Sequence, residues 1–447
     1  MPRICQLVLP CLAAILLGTG CRGWVTTGEA SARRDLAAVG GQLPTNSPVL
    51  TTNTTLREAV YVAVQNNPQV IAAYADWASA VENITIARSL PDPKLTFQAY
   101  IQDSLTSLMP GLSADIPGPG KREVRAVAAT AESRAKYFHF ATAVQQTAFD
   151  VQKSYYPLHF LDAKLRVNRQ TLALLAELEA LARAQNEVGQ GTLQDVLKVQ
   201  IEQKQLQTET TNLDDSRNVM LAQFKAALGL RPGQLDPPVP AEADFTDNQS
   251  ADEQLLANAL KENPRLLELA AEIRVAEANL QVARKENTPD FSGGLQAEVY
   301  EPPLFWPQAS ITLPIWRDKL AAERAAAEAG LRTARARLTA GQISLAVEFA
   351  EQSYLMREAD RELTLLRQSL LLRARQSLEI ARSAYRSGRV DFLNVIEDER
   401  SLLNFQLDEI AAQTQREIAR SELTLLIAGV PPENAPLLTT KSAKPTR

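Results

Sequence analysis

The chain repeats one succession of motifs, and this internal duplication constrains its fold more than any other feature. The segment "AVQNNPQV" around Asn67 returns as "ALKENPRL" around Asn263, and "EVGQGTLQDVL" around Gly189 returns as "RSGRVDFLNVI" around Gly388. The paired motifs keep their order and lie about 200 residues apart, which is too far for the unit of a solenoid. The duplication therefore predicts a protein of two equivalent halves.

Each half predicts the same succession of elements. An opening helix, from Leu56 to about Arg88 and from Asp252 to about Lys285, ends at a Pro-Asp pair because proline disfavours helix. Alternation of apolar and polar residues then predicts a hairpin, whose second strand is shorter and follows a Pro/Gly-containing turn. The first half is expected at 56–230, with a hairpin at 94–117 and a helical turn at 188–192. The second half is expected at 251–430, with a hairpin at 291–314 and a helical turn at 387–391. A Pro-rich linker at 231–250 joins them.

Each hairpin leads into a very long helix. The sequence predicts helices of about 67 residues from Lys121 to Glu187 and about 69 residues from Lys319 to Ser387, each roughly 100 Å long. Pro157 should interrupt and bend the first of them. A glycine turn and a shorter return helix complete each half. The predicted fold is mainly α with a small β part, a tandem duplicated bundle of long helices that carries two β-hairpins.

The segment "IPGPGKR", from Ile116 to Arg122, has the glycines and lysine of a phosphate-binding loop. Arg122 stands where such a loop needs Ser or Thr, however, and the equivalent segment "LPIWRDK" of the second half has no glycine. We interpret the segment as a strand-to-helix joint, since proline ends a strand and glycine permits a sharp change of direction. The joint residues are Pro117, Gly118, Gly120 and, in the second half, Pro314.

The N-terminus has the layout of a secretory signal. Residues 1–20 combine Arg3 with an apolar core that is too short to span a bilayer comfortably. The small residues before Cys21 resemble a bacterial lipoprotein signal, in which Cys21 becomes the lipidated first residue. A plain signal peptide with an incidental cysteine is the alternative. We expect residues 21–55 to form a polar tether and residues 431–447 a polar tail.

Composition gives little support for an enzyme, a metal site or nucleic-acid binding. The three cysteines are Cys5, Cys11 and Cys21, so at most one remains after the signal is removed. His139 and His159 lack companion ligands, which favours packing or surface roles for them over metal binding. A net charge of −5 gives no electrostatic reason to expect nucleic acid. We predict no catalytic residues, no cofactor and no metal.

The two hairpins point to an assembly, because open strand edges are a liability in isolation. The signal sends the chain across the inner membrane, and the expected anchor suggests the outer membrane of a diderm bacterium. In a membrane, a closed barrel satisfies every backbone group. Four strands are too few to close one, whereas three copies give twelve. We therefore expect a homotrimer, with a 12-stranded β-barrel above a helical tube.

The order of these motifs resembles the TolC family of outer-membrane efflux factors over residues 56–430. The motifs that carry the resemblance are Asn-Pro, Pro-Asp, the hairpin, "PGPGKR", the long helix, the "VGQGT" turn and the closing "ALG", and most of them recur in the second half. The resemblance implies a trimeric barrel in the outer membrane that is continuous with a long periplasmic α-barrel. It implies passive conduction of substrates delivered by an inner-membrane pump and a periplasmic adaptor.

The resemblance also implies roles for the helical turns farthest from the membrane. The implied adaptor-contact residues are Gly189, Thr192, Leu193, Val196, Gly388, Val390, Phe392 and Val395. Glu397 matches an acidic gate position of the family, and Asn394 stands where the best-known member has an aspartate. Asp195 and Arg389 are candidates for links that hold a turn closed. Simple turn geometry and solvation of a long helix are the alternative explanations for the glycines and the charges.

Other interpretations of the sequence remain open. A periplasmic coiled-coil scaffold without a pore would share the long charged helices, but it would not need two alternating hairpins at matching places. Within the family, the alternative is a channel of the same type that serves protein secretion instead of the efflux of small molecules or metal ions, and the sequence does not separate these cargoes.

Overall fold

The structure of the protein is a computed structural model that describes residues 25–40, 54–102, 104–239, 252–298 and 304–428. The expected signal peptide, Cys21, the end of the Pro-rich linker and the expected C-terminal tail lie outside the described residues. The prediction of a mainly helical, duplicated fold with a small β part is confirmed. In chain order the elements are α1 (Thr27–Gly40), α2 (Leu56–Asn66), α3 (Pro68–Arg88), β1 (Lys94–Gln102), β2 (Ser104–Ile116), α4 (Lys121–Glu187), α5 (Leu193–Ala227), α6 (Asp252–Glu262), α7 (Pro264–Lys285), β3 (Asp290–Glu298), β4 (Leu304–Thr312), α8 (Arg317–Leu365), a π-helical segment (Leu366–Leu370), α9 (Leu371–Arg386) and α10 (Phe392–Ala428).

The opening helix of each half is broken, whereas the sequence predicted one helix. The breaks lie at Asn67 and Asn263, each followed by a proline that begins the next helix. The residue before proline avoids the helical region, and an asparagine there can cap the helix that follows. Oδ1 of Asn67 accepts a hydrogen bond from the N–H of Gln69 at 2.8 Å, and Oδ1 of Asn263 accepts one from the N–H of Arg265 at 2.9 Å.

The expected polar tether contains a helix, α1, which is a second correction. Glu29 of this helix is 1% exposed and accepts hydrogen bonds from Nε of Arg88 at 2.5 Å and from Oγ1 of Thr85 at 2.7 Å. Burial alone would raise the pKa of Glu29, but hydrogen bonds from Arg88, Thr85 and Arg33 lower it to about 2. Arg33 also donates two hydrogen bonds of 2.7 Å to Glu82. These contacts fix α1 to α3.

The four strands form one antiparallel sheet in the order β1-β2-β3-β4. Strand β2 has 13 residues and β1 has 9, whereas β3 and β4 have 9 residues each. The prediction that the second strand of each hairpin is the shorter one is therefore wrong. Pro110 lies within β2, opposite Phe97 of β1 and just beyond the last β2–β3 pair, Gly111 with Gln296. The missing N–H group of proline is tolerated there because residue 110 is not paired with β3.

The long helices also differ in detail from the prediction. Helix α4 is continuous through Pro157, which was expected to interrupt it. The second long helix begins at Arg317 and contains the π-helical segment, which the sequence did not predict. Return helices α5 and α10 each follow a five-residue turn, at 188–192 and 387–391.

The chain divides into two compact units. The described residues of 1–40, 77–134 and 271–334 form one, which we call the sheet unit because it holds the four strands. The described residues of 41–76, 135–270 and 335–447 form the other, which we call the turn unit because it holds both helical turns.

The turn unit is held by clusters of buried apolar side chains. One cluster lies where α2 packs with α4 and α5, and it includes Tyr155, Phe224 and Leu228. Gly229 follows this cluster with a φ of 72°, and a Cβ there would lie 2.7 Å from backbone atoms of Asn66. Only glycine permits both the conformation and the close approach. Another cluster, described below, lies beneath the helical turns.

Candidate functional site

The sheet has one apolar face and one mainly polar face. Successive side chains of a strand point to opposite faces, so the register decides which residues share a face. Leu95 lies opposite Leu112, Leu112 opposite Leu295, and Leu295 opposite Pro307, which places one apolar row across all four strands. The large apolar side chains of this face are between 41% and 65% exposed, and they are Leu95, Phe97, Leu112, Ile116, Phe291, Leu295, Phe305 and Ile311. An exposed apolar face of this extent marks contact with a partner or a membrane.

The opposite face carries hydrogen-bonded polar side chains. Lys94 Nζ lies 2.7 Å from Asp115 Oδ2, and Gln308 Nε2 donates to Gln296 Oε1 at 2.7 Å. The hydroxyls of Ser292 and Ser310 are 2.7 Å apart. Apolar residues such as Trp306 interrupt this face without joining into rows. The sheet is thus amphipathic from β1 to β4.

The outer edges of this sheet have no partner strand among the described residues. Strand β1 pairs only with β2, and β4 pairs only with β3. Their backbone groups on the outer side can accept another strand in the manner of any open edge.

The first strand-to-helix joint is fastened by charges from the second half of the chain. Lys121, the first residue of α4, is 2% exposed, and its Nζ lies 3.0 Å from Asp290 Oδ2 and 3.2 Å from Glu286 Oε2. The N–H of Gly118 donates to Asp290 Oδ1 at 2.7 Å. A Cβ on Gly118 would lie 2.3 Å from the carbonyl oxygen of Pro289, so the joint requires glycine there. Lys121 binds carboxylates, and its segment is a structural joint.

The other predicted joint residues also lie between a strand and a helix, Pro117 and Gly120 in the first joint and Pro314 in the second. Gly120 has a φ of 81°, in the left-handed region that favours glycine. Pro117 directly follows β2, and Pro314 lies between β4 and α8. The second joint has exposed side chains at Ile315 and Trp316.

Both helical turns of the turn unit reverse the chain through the same backbone motif. Gly189 and Gly388 have φ values of 74° and 66°. The N–H of Gly388 donates to the carbonyl of Tyr385 at 2.9 Å, and the N–H of Arg389 donates to that of Ala384 at 2.9 Å. Gly189 and its successor repeat this pattern, which is the Schellman motif that ends many helices at a glycine.

Helix α5 then begins with a capping box. Oγ1 of Thr192 accepts a hydrogen bond from the N–H of Asp195 at 3.3 Å, and the Asp195 carboxylate accepts one from the N–H of Thr192 at 3.0 Å. Each group satisfies a donor that the first turn of a helix leaves free. The carboxylate of Asp195, expected to link two helices, is engaged in the cap of its own helix.

The structure separates the predicted adaptor-contact residues into two groups. Gly189, Thr192, Leu193 and Gly388 are exposed, and Val390 is partly exposed. Val196, Phe392 and Val395 are at most 4% exposed and belong to the apolar cluster beneath the turns, so they support the turns from within. Phe392 and Val395 are three residues apart in one helix, which is the spacing of residues that face a core. This spacing was the signal that could have predicted their burial.

The gate candidates are not brought together. Asn394, Glu397 and Arg389 are exposed and Asp195 is partly buried. No hydrogen bond or ion pair joins any two of these four among the residues that the structure describes. Their expected roles remain predictions.

Two buried residues near the turns were not predicted. The ring of Tyr385 packs on Phe392 with centroids 4.9 Å apart, and the Tyr385 hydroxyl is buried. Glu399 of α10 is 3% exposed, and burial together with nearby Glu202 raises its pKa to about 7. A hydrogen bond from Thr171 opposes this rise. Sequence periodicity places Tyr385 on the apolar face of α9, but no local signal marks Glu399 as buried.

The two histidines make ordinary contacts. Nδ1 of His139 lies 3.1 Å from Glu268 Oε1, and Nδ1 of His159 lies 3.1 Å from the hydroxyl of Tyr155. Within the described part of the chain, no group of three or more His, Cys, Asp or Glu side chains has the arrangement of a metal site. Over the same residues, no helix has both the length and the hydropathy required to cross a membrane.

Comparison with known proteins agrees with this geometry. The profile of the family described as outer membrane efflux protein matches residues 59–230 and again residues 255–429. The chain belongs to the outer membrane efflux protein family. The two matched segments coincide with the two halves of the duplication, and the expected resemblance to the TolC family is confirmed. A search of curated protein sequences finds no match.

Solved structures share the fold of this efflux protein. A membrane protein from Pseudomonas aeruginosa is 20% identical, with a TM-score of 0.74 over 86% of this chain and 91% of that one. The outer membrane protein VceC from Vibrio cholerae is 18% identical, with a TM-score of 0.70 over 83% of this chain and 95% of that one. The open state of the MtrE outer membrane channel from Neisseria gonorrhoeae is 15% identical, with a TM-score of 0.70 over 87% of this chain and 94% of that one.

Proposed function

We propose that this protein is the outer-membrane exit duct of a tripartite efflux system. Three copies pair their open sheet edges, β4 of one copy with β1 of the next, and close a 12-stranded barrel. Substrates delivered by an inner-membrane pump and a periplasmic adaptor pass through it without chemical change. The observation that carries the proposal is the amphipathic sheet, whose exposed apolar face runs across four strands and whose two outer edges have no partner strand in the described part of the chain.

The sheet fits a membrane wall better than a contact within a soluble scaffold. In a barrel, apolar side chains face lipid and polar side chains line the interior. The rows through Leu95, Leu112 and Leu295 would face lipid, and the hydrogen-bonded pair Gln296 and Gln308 would face the lumen. A coiled-coil scaffold gives no role to such a face.

The helical turns are the proposed adaptor surface. The accessible part of this surface consists of the exposed residues Gly189, Thr192, Leu193 and Gly388 and the partly exposed Val390. Val196, Phe392 and Val395 act by keeping the turns rigid. Glu397 remains the proposed gate residue, and Cys21, outside the described residues, the proposed lipid anchor.

A planar-bilayer recording tests the proposed function. We expect the purified full-length protein to give stepwise ion conductance after insertion from detergent. Leu295→Arg should abolish insertion, since a cation on the lipid face costs about 2–4 kcal/mol at mid-membrane depth. Ser310→Arg, with the same charge on the opposite face of the sheet, should still insert. Absence of conductance from the unmodified protein, or equal insertion by both variants, would contradict the proposal.

A further inference from the structure

The internal seam between the two halves shows how one repeat fastens to the next. Strands β2 and β3 meet with Ile116 opposite Phe291, directly beside the first joint. At this point Lys121, the first residue of α4, binds Asp290, the residue after Pro289. The joint and the second half are thus held together by Lys121 with the carboxylates of Asp290 and Glu286, in addition to backbone hydrogen bonds.

The outer edges also carry a basic residue at a helix start and an acidic residue after a proline, although the aligned joint segments place Arg317 opposite Gly120 and not opposite Lys121. Arg317 is the first residue of α8, as Lys121 is of α4, and Asp92 follows Pro91 as Asp290 follows Pro289. Arg317 and Asp92 are both exposed. Neither has an ion-pair partner among the residues that the structure describes.

The strand register places these two charges at one end of the sheet but at opposite edges. Antiparallel pairing brings the start of β1, the end of β2, the start of β3 and the end of β4 to the same end. Asp92 lies just before β1 and Arg317 just after β4. Within one chain the width of the sheet separates them, whereas β4 of one copy beside β1 of another would bring them together.

Neighbouring charges do not offer a better pair. Lys319 Nζ lies 3.7 Å from Glu323 of its own helix, and Lys94 Nζ lies 2.7 Å from Asp115 of the same sheet. Both of these cations therefore have partners within the chain. Arg317 is the basic residue left at the second joint.

We propose that Arg317 forms an ion pair with Asp92 of the partner subunit and thereby fixes the seam between copies. The pair repeats between chains what Lys121 and Asp290 do within one chain. It sets the vertical register of β4 against the neighbouring β1, because a shift by even one residue turns every side chain to the other face. The inference rests on the proposed assembly and names the charges that hold it.

Charge reversal tests the pair. Asp92→Arg and Arg317→Asp should each lower the fraction of detergent-stable trimer by at least about threefold, because each change places like charges at all three seams. The combined variant Asp92→Arg/Arg317→Asp should recover trimer to within about twofold of the unmodified protein. Lys319→Asp is the matched control, since it reverses a charge two residues away and should leave the trimer unchanged. Failure of the combined variant to recover, or an equal loss with Lys319→Asp, overturns the proposed pair.

Cysteine cross-linking tests whether residues 92 and 317 of neighbouring copies lie close together, even if the pair adds little to the stability of the trimer. The variant Asp92→Cys/Arg317→Cys, treated with a short thiol-reactive cross-linker that replaces the length of the arginine side chain, should form covalently linked dimers and trimers in membranes, and neither single variant should form a trimer ladder; a direct disulfide would need Cα atoms within about 7 Å. If the unmodified protein assembles but the double-cysteine variant gives no ladder and charge reversal gives no recovery, the pair is wrong and the assembly stands. If the unmodified protein is monomeric in membranes, the proposed function itself fails.

Discussion

The two strand-to-helix joints occupy equivalent places in the two halves, yet among the described residues only the first shows an ion pair that fastens it to the neighbouring strand. Lys121 is buried against Asp290 at the first joint, whereas Arg317 is exposed at the second. The first joint meets the second half of the same molecule, and the second joint lies at the outer edge of the sheet. Equivalent parts of the duplicated sequence therefore have different surroundings, and we propose that the second joint marks where another copy binds.

The largest effect that distinguishes the joints is expected from Lys121→Met. The change leaves Asp290 and Glu286 without their buried cation. Removing one partner of a buried ion pair costs about 3–5 kcal/mol, and we expect about 2–3 kcal/mol here because both carboxylates keep some contact with water. The measurement is the midpoint of denaturant unfolding of the detergent-solubilised protein.

Arg317→Met is the matched variant at the second joint. Because Arg317 is exposed within one chain, its loss should change the free energy of unfolding of the dissociated monomer little, by less than about 0.5 kcal/mol. Equal destabilisation by Lys121→Met and Arg317→Met would show that the two joints are equivalent within the chain, contrary to the structure.

A smaller effect is expected near the helical turns, at a position where the second half has a buried glutamate and the first a partly buried glutamine. Gln200 of α5 and Glu399 of α10 stand at the same distance after Gly189 and Gly388. Gln200 donates a hydrogen bond of 2.8 Å to Glu179, whereas Glu399 is buried near Glu202. The second half thus keeps an ionisable group where the first has a neutral one.

Glu399→Gln should stabilise the protein at alkaline pH by about 2 kcal/mol. The folded-state pKa of Glu399, about 7, lies above its ordinary value of 4.5. The protonated side chain therefore contributes stability that is fully present below the unfolded-state pKa and is lost as the pH rises through about 7. Glutamine cannot ionise and avoids this loss.

The check is thermal unfolding of both proteins by circular dichroism at about pH 4 and about pH 8. We expect nearly equal midpoints at the lower pH and a higher midpoint for Glu399→Gln at the upper pH. Gln200→Glu in the first half is the converse variant, and it should lower the midpoint at alkaline pH. A difference between Glu399→Gln and the unmodified protein that is independent of pH would argue against ionisation as the cause.

The sequence predicted those parts of the fold that depend on local backbone chemistry. The turn glycines Gly189 and Gly388, the joint at Pro117 and the alternation of β1 and β3 all act within a few residues, so a linear pattern reveals them. The duplication then supplied the second copy of each element. The break at Asn67 was also visible in this sense, since the residue before a proline avoids helix, but the prediction ran the helix through it.

Features that depend on distant contacts were not predictable in the same way. In the sequence, Glu29 is one charged residue in a polar segment. Its burial against Arg88 depends on the packing of α1 on α3, which lies far along the chain. In the sequence, Pro110 suggests a turn. The structure places it inside β2, at a residue that is not paired with β3 and therefore does not need to donate a hydrogen bond to that strand. Phe392 and Val395 were assigned to a contact surface, but the cluster beneath the turns takes their side chains.

One chain supplies a third of the proposed barrel, and the mass of the intact assembly tests this most directly. Native mass spectrometry of the full-length protein, released from mild detergent, should give a single complex of three copies, each of 49.0 kDa before processing. A mass of one copy, or of a number of copies whose strands cannot close a barrel around a pore, would contradict the account.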